Sequence, residues 1–212
     1  MQSNRSYVPT TNGESGWNME KVSVSETKAF EESPLRISVM GVPGAGKTTQ
    51  SQILQGTLGT MHVSSGDLVR TYLTDKSTSD ELAKGHLAPD ELAVQKLVRD
   101  AIGSSNRYVL DGFPRMIDQI KSTGITIDAV IRLSVPVNVA IERLLSRGRP
   151  DDTKDVIESR LDVYNTTTLP VLSYFKTQNT PIIKIDGDQP RGKVWADIVA
   201  ELHELAYKYP NS

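Results

Sequence analysis

Val39-Met40-Gly41-Val42-Pro43-Gly44-Ala45-Gly46-Lys47-Thr48-Thr49-Gln50 is the stretch from which the rest of this chain can be read. It fits G-x-x-x-x-G-K-[ST] through Gly41, Gly46, Lys47 and Thr48. Its setting agrees, because Leu35-Arg-Ile-Ser-Val-Met40 reads as a buried strand and Gln50 to Leu54 as the first turns of a helix. A glycine-rich turn between them aims successive backbone N–H groups at one point, and the helix N-terminus adds partial positive charge there. Lys47 then reaches the β- and γ-phosphates and the Thr48 hydroxyl faces Mg²⁺, which implies a nucleoside triphosphate as ligand.

Outward from this loop the pattern is strand and helix in alternation. Short apolar strands are expected at Leu35–Met40, Met61–Val63, Tyr108–Leu110, Ala129–Leu133 and Ile182–Ile185. Helices are expected at Thr48–Leu58, Asp67–Thr74, Pro89–Ile102, Arg115–Ser122, Val137–Ser146, Thr153–Lys176 and Val194–Tyr207. Continuous apolar strands separated by helices imply a parallel sheet covered on both faces. Right-handed crossovers make that a doubly wound α/β fold of the P-loop type, with ligands at the carboxyl ends of the strands. Two segments fit the alternation poorly: polar Ser64 to about Asp90, and Arg147-Gly-Arg-Pro-Asp-Asp152. Both are expected to leave the sheet as substrate-covering excursions.

Composition narrows the classes. A chain of 212 residues, 37% hydrophobic and 24% charged, suits one globular domain. Its net charge of −2 offers no general attraction for nucleic acid or an anionic membrane, so neither is an expected partner. With no cysteine, disulfides, cysteine-ligated zinc and thiol catalysis are excluded. No run approaches the ~18 apolar residues of a membrane span. Residues 1–33 lack an apolar signal core and carry Glu14, Glu20, Glu26, Glu31 and Glu32, so a cytoplasmic location is expected. They read as a flexible tail, with a short helix within Asn18–Phe30.

The other chemistry-bearing residues sit at strand ends. Tyr108-Val-Leu runs into Asp111-Gly112-Phe113-Pro114-Arg115, and an Asp at that position beside a P-loop suits Mg²⁺ or its water shell. Gly112 and Pro114 set a tight turn that aims Arg115 back across the strand ends, with Gln119 one helical turn farther on. Arg70, on the first turns after Ser65-Gly-Asp67, faces the same edge, and two arginines there suit bidentate capture of a second phosphate. Arg143, Arg147, Arg149 and Arg160 form a third basic group, with Asp151 and Asp152 placed to brace it.

These motifs occur in a recognisable order: G-x-P-G-x-G-K-x-T-Q, S-G-D-x-x-R, G-x-L-x-P-D-E, L-D-G-F-P-R-x-x-x-Q, E-R-L-x-x-R, G-R-x-D-D and I-D-G. Over residues 35 to about 208 the chain thereby resembles the adenylate kinase family of nucleoside monophosphate kinases. The resemblance implies a five-stranded parallel sheet with a monophosphate-binding segment near 64–93 and a lid near 147–153. It implies that Gly44, Ala45, Gly46, Lys47, Thr48 and Thr49 wrap the ATP phosphates, and that Thr48 and Asp111 attend the Mg²⁺. Ser65, Arg70, Gly112, Arg115, Gln119 and the backbone of His86, Leu87 and Ala88 would hold AMP. Arg143 would lie against the ATP base and the Gln189 backbone beside its adenine. Lys47, Arg115, Arg147, Arg149 and Arg160 would be catalytic. His62, His86 and His203 are read as structural or surface residues.

Two departures from the family pattern matter. Only a few residues separate Arg147 from Asp151, so the lid is the short form without zinc. Ser65 and Met116 stand where adenylate kinases commonly carry Thr, and Ser65 keeps the hydroxyl that pyrimidine-preferring relatives replace with Ala. The expected reaction is therefore reversible, Mg²⁺-dependent transfer from ATP to AMP by a monomer. The alternatives are a UMP/CMP kinase and, in another class, a catalytically weak nucleotide-binding regulator.

Overall fold

The apolar run Leu35–Met40 forms β1, and four of its six residues are buried. In the computed structural model, which describes residues 34–208, it is the central strand of a five-stranded sheet ordered β2-β3-β1-β4-β5. The partners are β2 (Met61–Ser64), β3 (Arg107–Asp111), β4 (Ala129–Ser134) and β5 (Ile182–Asp186), and every pairing is parallel. The tail and the helix expected within Asn18–Phe30 lie outside the described residues.

Side-chain alternation assigns the two faces. Ile37 and Val39 of β1, Val109 of β3, and Ile131 and Leu133 of β4 point into one cluster. Leu54 of α1 (Lys47–Leu58) joins them, with Val194, Ile198 and Leu202 of α9 (Arg191–Lys208). The intervening residues pack on the opposite face. Tyr108 and Leu110 meet Val94 and Val98 of α4 (Glu91–Ile102), while Met40 and Val130 meet Val171 and Phe175 of α8 (Leu169–Thr177). A sheet sealed on both faces leaves its strand ends as the place for polar chemistry.

The chain also forms α2 (Ser65–Tyr72), α5 (Ile117–Thr123), α6 (Val137–Arg147) and α7 (Lys154–Val163). Several boundaries differ from the sequence expectation for identifiable reasons. Helix α2 starts at Ser65 because the Ser64 hydroxyl caps it, accepting from Asp67 N. Helix α4 starts at Glu91 because Asp90 caps it, accepting from Ala93 N at 2.9 Å. Helix α5 begins two residues late because Gln119 Oε1 takes the Arg115 N–H and Met116 is extended at φ −135.

Two corrections go further. The polar stretch after β2 holds an additional helix, α3 (Lys76–Ala83), capped by Asp75 and buried mainly through Thr78. A single buried threonine gives too little apolar period to announce a helix. The helix expected over Thr153–Lys176 is interrupted by a π-helical turn, Tyr164–Thr168, in which Leu169 N donates to Tyr164 O. Pro170 follows at the start of α8. Proline cannot donate to the carbonyl four residues back and its ring crowds it, so a wider turn relieves the conflict.

Candidate functional site

The loop after β1 closes with Ala45 N donating to Val42 O, and Gly46, at φ 90, turns the chain into α1. Helix α1 has no side-chain cap and no acidic residue in its first turn, so its N–H groups and dipole face outward uncompensated. Gly44 allows a close approach: at φ +84, a Cβ there would fall 2.4 Å from Ala140 O of α6. The loop is thus clamped between its own strand and α6.

Register brings the other strand ends to this loop. Val39 pairs with Asp111, and Ser64 of β2 pairs with the same residue from the other side. The Ser38 hydroxyl, fully buried, donates to Phe113 O at 2.8 Å and ties β1 to the turn after β3. Within that turn Arg115 Nε donates to Gly112 O at 2.9 Å, as does the Ser65 hydroxyl at 2.7 Å. The expected tight turn therefore does fold Arg115 back over the strand ends. Gln119 commits its oxygen to Arg115 N at 2.7 Å, which leaves its amide NH₂ as the donor available to the cleft it lines.

The result is a cleft of about 610 Å³ over the strand ends. Gly44, Gly46, Lys47, Thr48 and Thr49 line it, with Ser65, Arg70 and the segment His86, Leu87, Ala88. Asp111, Gly112, Arg115 and Gln119 line it too, as do Arg143, Arg147, Arg149 and Arg160. Ala45 instead packs its methyl into the core, leaving only its backbone in the loop. Gln189 lies outside the cleft lining; its amide donates to Asp186 O and Asp197 Oδ2. It remains near Arg143, which donates to Gly187 O at 2.9 Å.

Seven cationic side chains line this cleft against two carboxylates, Asp111 and Asp151, although the chain as a whole is slightly acidic. Such a surface suits a polyanion. Lys47 Nζ donates to Gly41 O and Val42 O, both at 2.9 Å. Burial lowers its pKa to about 8; Asp111 opposes the shift and the Arg115 and Arg147 guanidiniums add to it. Burial likewise lowers Arg115, beside Arg70 and Arg160, and Arg149, beside Arg147 and Arg70. A bound anion relieves this mutual repulsion.

Thr48 Oγ1 donates to Asp111 Oδ2 at 2.5 Å. Burial pushes the Asp111 carboxyl upward, but the His62 ring, the Lys47 ammonium and the Thr48 hydroxyl outweigh it and hold the group below the usual range. His62, read from the sequence as structural, stands against this carboxylate with Nε2 3.7 Å from Oδ2, beyond hydrogen-bond range. Its alternation on a short edge strand carried no signal of that proximity.

Asp152 organises the arginines. Its side chain is 1% exposed and accepts Arg147 Nε at 2.8 Å, Arg147 Nη2 at 2.7 Å and Arg160 Nη1 at 2.8 Å. It also accepts the Arg149 N–H at 3.3 Å, while Asp151 holds the other Arg160 nitrogen. Burial disfavours the Asp152 carboxylate, but its bonds to Arg147 and Arg160 keep it ionised below the usual range. The expected bracing by Asp151 and Asp152 is present in the geometry, with Asp152 the deeper brace.

Known proteins resemble this chain over most of its length. The profile of the family described as adenylate kinase matches residues 39–180. An adenylate kinase of Mycobacteroides abscessus is 39% identical over 157 residues, which cover 67% of this chain and 86% of that protein. An adenylate kinase of Encephalitozoon cuniculi is 39% identical over 170 residues, covering 77% and 95% of the two chains. Adenylate kinase 1 of a Nostoc species is 35% identical over 182 residues, covering 79% and 98%.

Proposed function

The chain belongs to the adenylate kinase family, phosphotransferases whose acceptor is itself a phosphate group, and from that premise we propose AMP as the favoured acceptor and a role for each cleft residue. The reaction is ATP + AMP in equilibrium with two ADP. The observation that carries the reading is the convergence of Lys47 with two arginine sets, Arg70/Arg115 and Arg147/Arg149/Arg160, on one cleft. One set suffices to hold a single polyanion; two sets converging on one cleft suit two polyanions meeting end to end.

Lys47 and the N–H groups from Gly44 to Thr49 hold the ATP phosphates, with Arg143 and the Gln189 backbone toward the base. Arg70 and Arg115 hold the acceptor phosphate. Ser65, Gly112, Gln119 and the backbone of His86–Ala88 enclose its base. Segment 64–93 is the monophosphate-binding excursion and 147–153 the short lid. The relatives named adenylate kinase and the retained hydroxyl of Ser65 favour adenine over a pyrimidine.

No general base is required, because the acceptor oxygen is already ionised at neutral pH. The barrier lies in bringing two anions together in line and stabilising charge on the equatorial oxygens. Arg147 and Arg160 are oriented for that by Asp152 rather than by substrate, so they meet the developing charge without reorganising, and the same carboxylate accepts the Arg149 backbone N–H. Lid closure excludes water, which competes as an acceptor.

Mg²⁺ fits the residues present. An ionised carboxylate and a hydroxyl 2.5 Å apart are hard oxygen donors, and two protein oxygens suit an ion that keeps its waters and phosphate ligands. When bound, the ion neutralises charge on the β- and γ-phosphate oxygens. Among the described residues no helix is long and apolar enough to cross a membrane.

The test offers the purified protein Mg²⁺-ATP with AMP, UMP, CMP or GMP in separate reactions. ADP formation dependent on AMP supports the reading. A preference for UMP or CMP overturns the acceptor, and ATP binding without turnover on any of them overturns the enzyme.

A further inference from the structure

The turn between α3 and α4 meets α7 at a point that has room for no side chain. Gly85 has φ +86, and a Cβ there would stand 2.7 Å from Val156 O, 3.1 Å from Arg160 Cγ and 3.2 Å from Ser159 Cβ. Residues 156, 159 and 160 share one face of α7, so Gly85 rests backbone-first on a helix ridge. The next three residues, His86, Leu87 and Ala88, line the cleft. On the other side of the contact, Arg160 has its head fixed by Asp151 and Asp152 and its stem covered by Gly85.

We infer that Gly85 is a positioning residue, which seats the monophosphate-binding turn directly on the stem of Arg160 and so sets acceptor and guanidinium in register. The inference rests on the reading of 64–93 as the monophosphate-binding segment. Gly85 brings no side chain that could absorb a displacement, and the nearest atom it meets, Val156 O, is helix backbone. Whatever moves the turn away from α7 therefore moves the acceptor relative to Arg160, and a misplacement of ~1 Å can cost on the order of 10²-fold in rate. Holding the stem also removes rotamer freedom that a long cationic side chain otherwise retains. The donor half of the cleft, on the loop after β1, has no part in this contact.

The deciding variant is Ser159→Phe in the full chain, because it adds bulk from the α7 side and leaves the left-handed backbone of Gly85 unchanged. Gly85→Ala is its companion, carrying backbone strain as well, and Ser159→Ala is the control. Binding of AMP alone and of ATP alone is measured by calorimetry, alongside KM for each substrate and kcat. Ser159→Phe is expected to raise both the dissociation constant and KM for AMP by about tenfold or more, as an overpacked contact does. The ATP constants stay within about twofold, kcat falls, and Gly85→Ala moves the same way. Ser159→Ala leaves every constant within about twofold.

The inference is overturned if both bulky variants leave the AMP constants unchanged. It is equally overturned if they weaken ATP and AMP alike, which marks general loosening rather than a seam. Should the wild type prefer UMP or CMP, the acceptor reading fails and the seam is read with that monophosphate. Should it turn over none, calorimetry of AMP still reads the seam directly.

Discussion

Replacing Asp152 by Asn tests the brace on Arg147 and Arg160 with almost no change of shape. Asp152 Oδ2 accepts Arg147 Nε and Arg149 N, while Oδ1 accepts Arg147 Nη2 and Arg160 Nη1. An asparagine has one acceptor oxygen. Whichever way its amide turns, its NH₂ faces two donors and two of the four bonds are lost. Bonds to charged groups contribute about 1.5–3 kcal/mol each. Arg147 is 38% exposed and regains water, whereas Arg160 is only 18% exposed, so the loss is discounted to about 2–4 kcal/mol. If most of that is felt as disorder of Arg147 and Arg160 in the transition state, kcat falls on the order of 10²-fold.

The assay is steady-state ADP formation at saturating ATP and AMP, paired with urea unfolding of the free protein. Asp152→Asn is expected to lose kcat strongly and to lose modest stability. The pH arm has a definite sign. The folded Asp152 carboxyl lies below its unfolded value, so its contribution is fully present above about pH 4 and is lost as pH falls through the lower folded value. The variant lacks that acid limb. A variant with wild-type kcat would refute the idea that Asp152 positions the arginines.

Lys47→Met is expected to lower kcat on the order of 10²–10³-fold, as loss of a preorganised charge does, without lowering the melting temperature. Because the folded pKa of Lys47 is depressed to about 8, the native state binds fewer protons than the unfolded chain between that pH and the ordinary lysine value. The wild type therefore gains stability as pH rises through that window, and kcat/KM for ATP declines above about pH 8. Gly44→Ala places a methyl against Ala140 O at a left-handed residue, and should cost at least about 2 kcal/mol in urea unfolding while weakening ATP. Ser65→Ala removes the 2.7 Å bond to Gly112 O and should raise KM for AMP several-fold, with KM for ATP unchanged.

Much of the fold was legible because strands covered on both faces appear as apolar runs: Ile37–Met40, interrupted only by Ser38, with Tyr108–Leu110 and Ala129–Ile131, needed no tertiary information. The P-loop and the turn at Asp111–Arg115 were legible because each combines a backbone requirement with a chemical one within a few residues. Helix α3 was not, since Thr78 is its buried anchor and Leu82 and Ala83, side by side at its end, are its only apolar residues. Nor was the break at Tyr164–Thr168, whose cause, Pro170, lies inside a sequence otherwise consistent with one helix. In the site, the bracing aspartates could be anticipated from spacing, but the share taken by Asp152 depends on burial that only packing decides. The approach of His62 to Asp111 depends on the β2–β3 register, which no local pattern encodes.

The most direct measurement supplies the purified protein with Mg²⁺ and ADP alone. Equal amounts of ATP and AMP, appearing together and absent with Lys47→Met, are expected of an enzyme whose two phosphate sites both accept an adenine nucleotide. Failure to disproportionate ADP, in a protein that binds it and remains folded, would contradict the assignment of the second site to AMP.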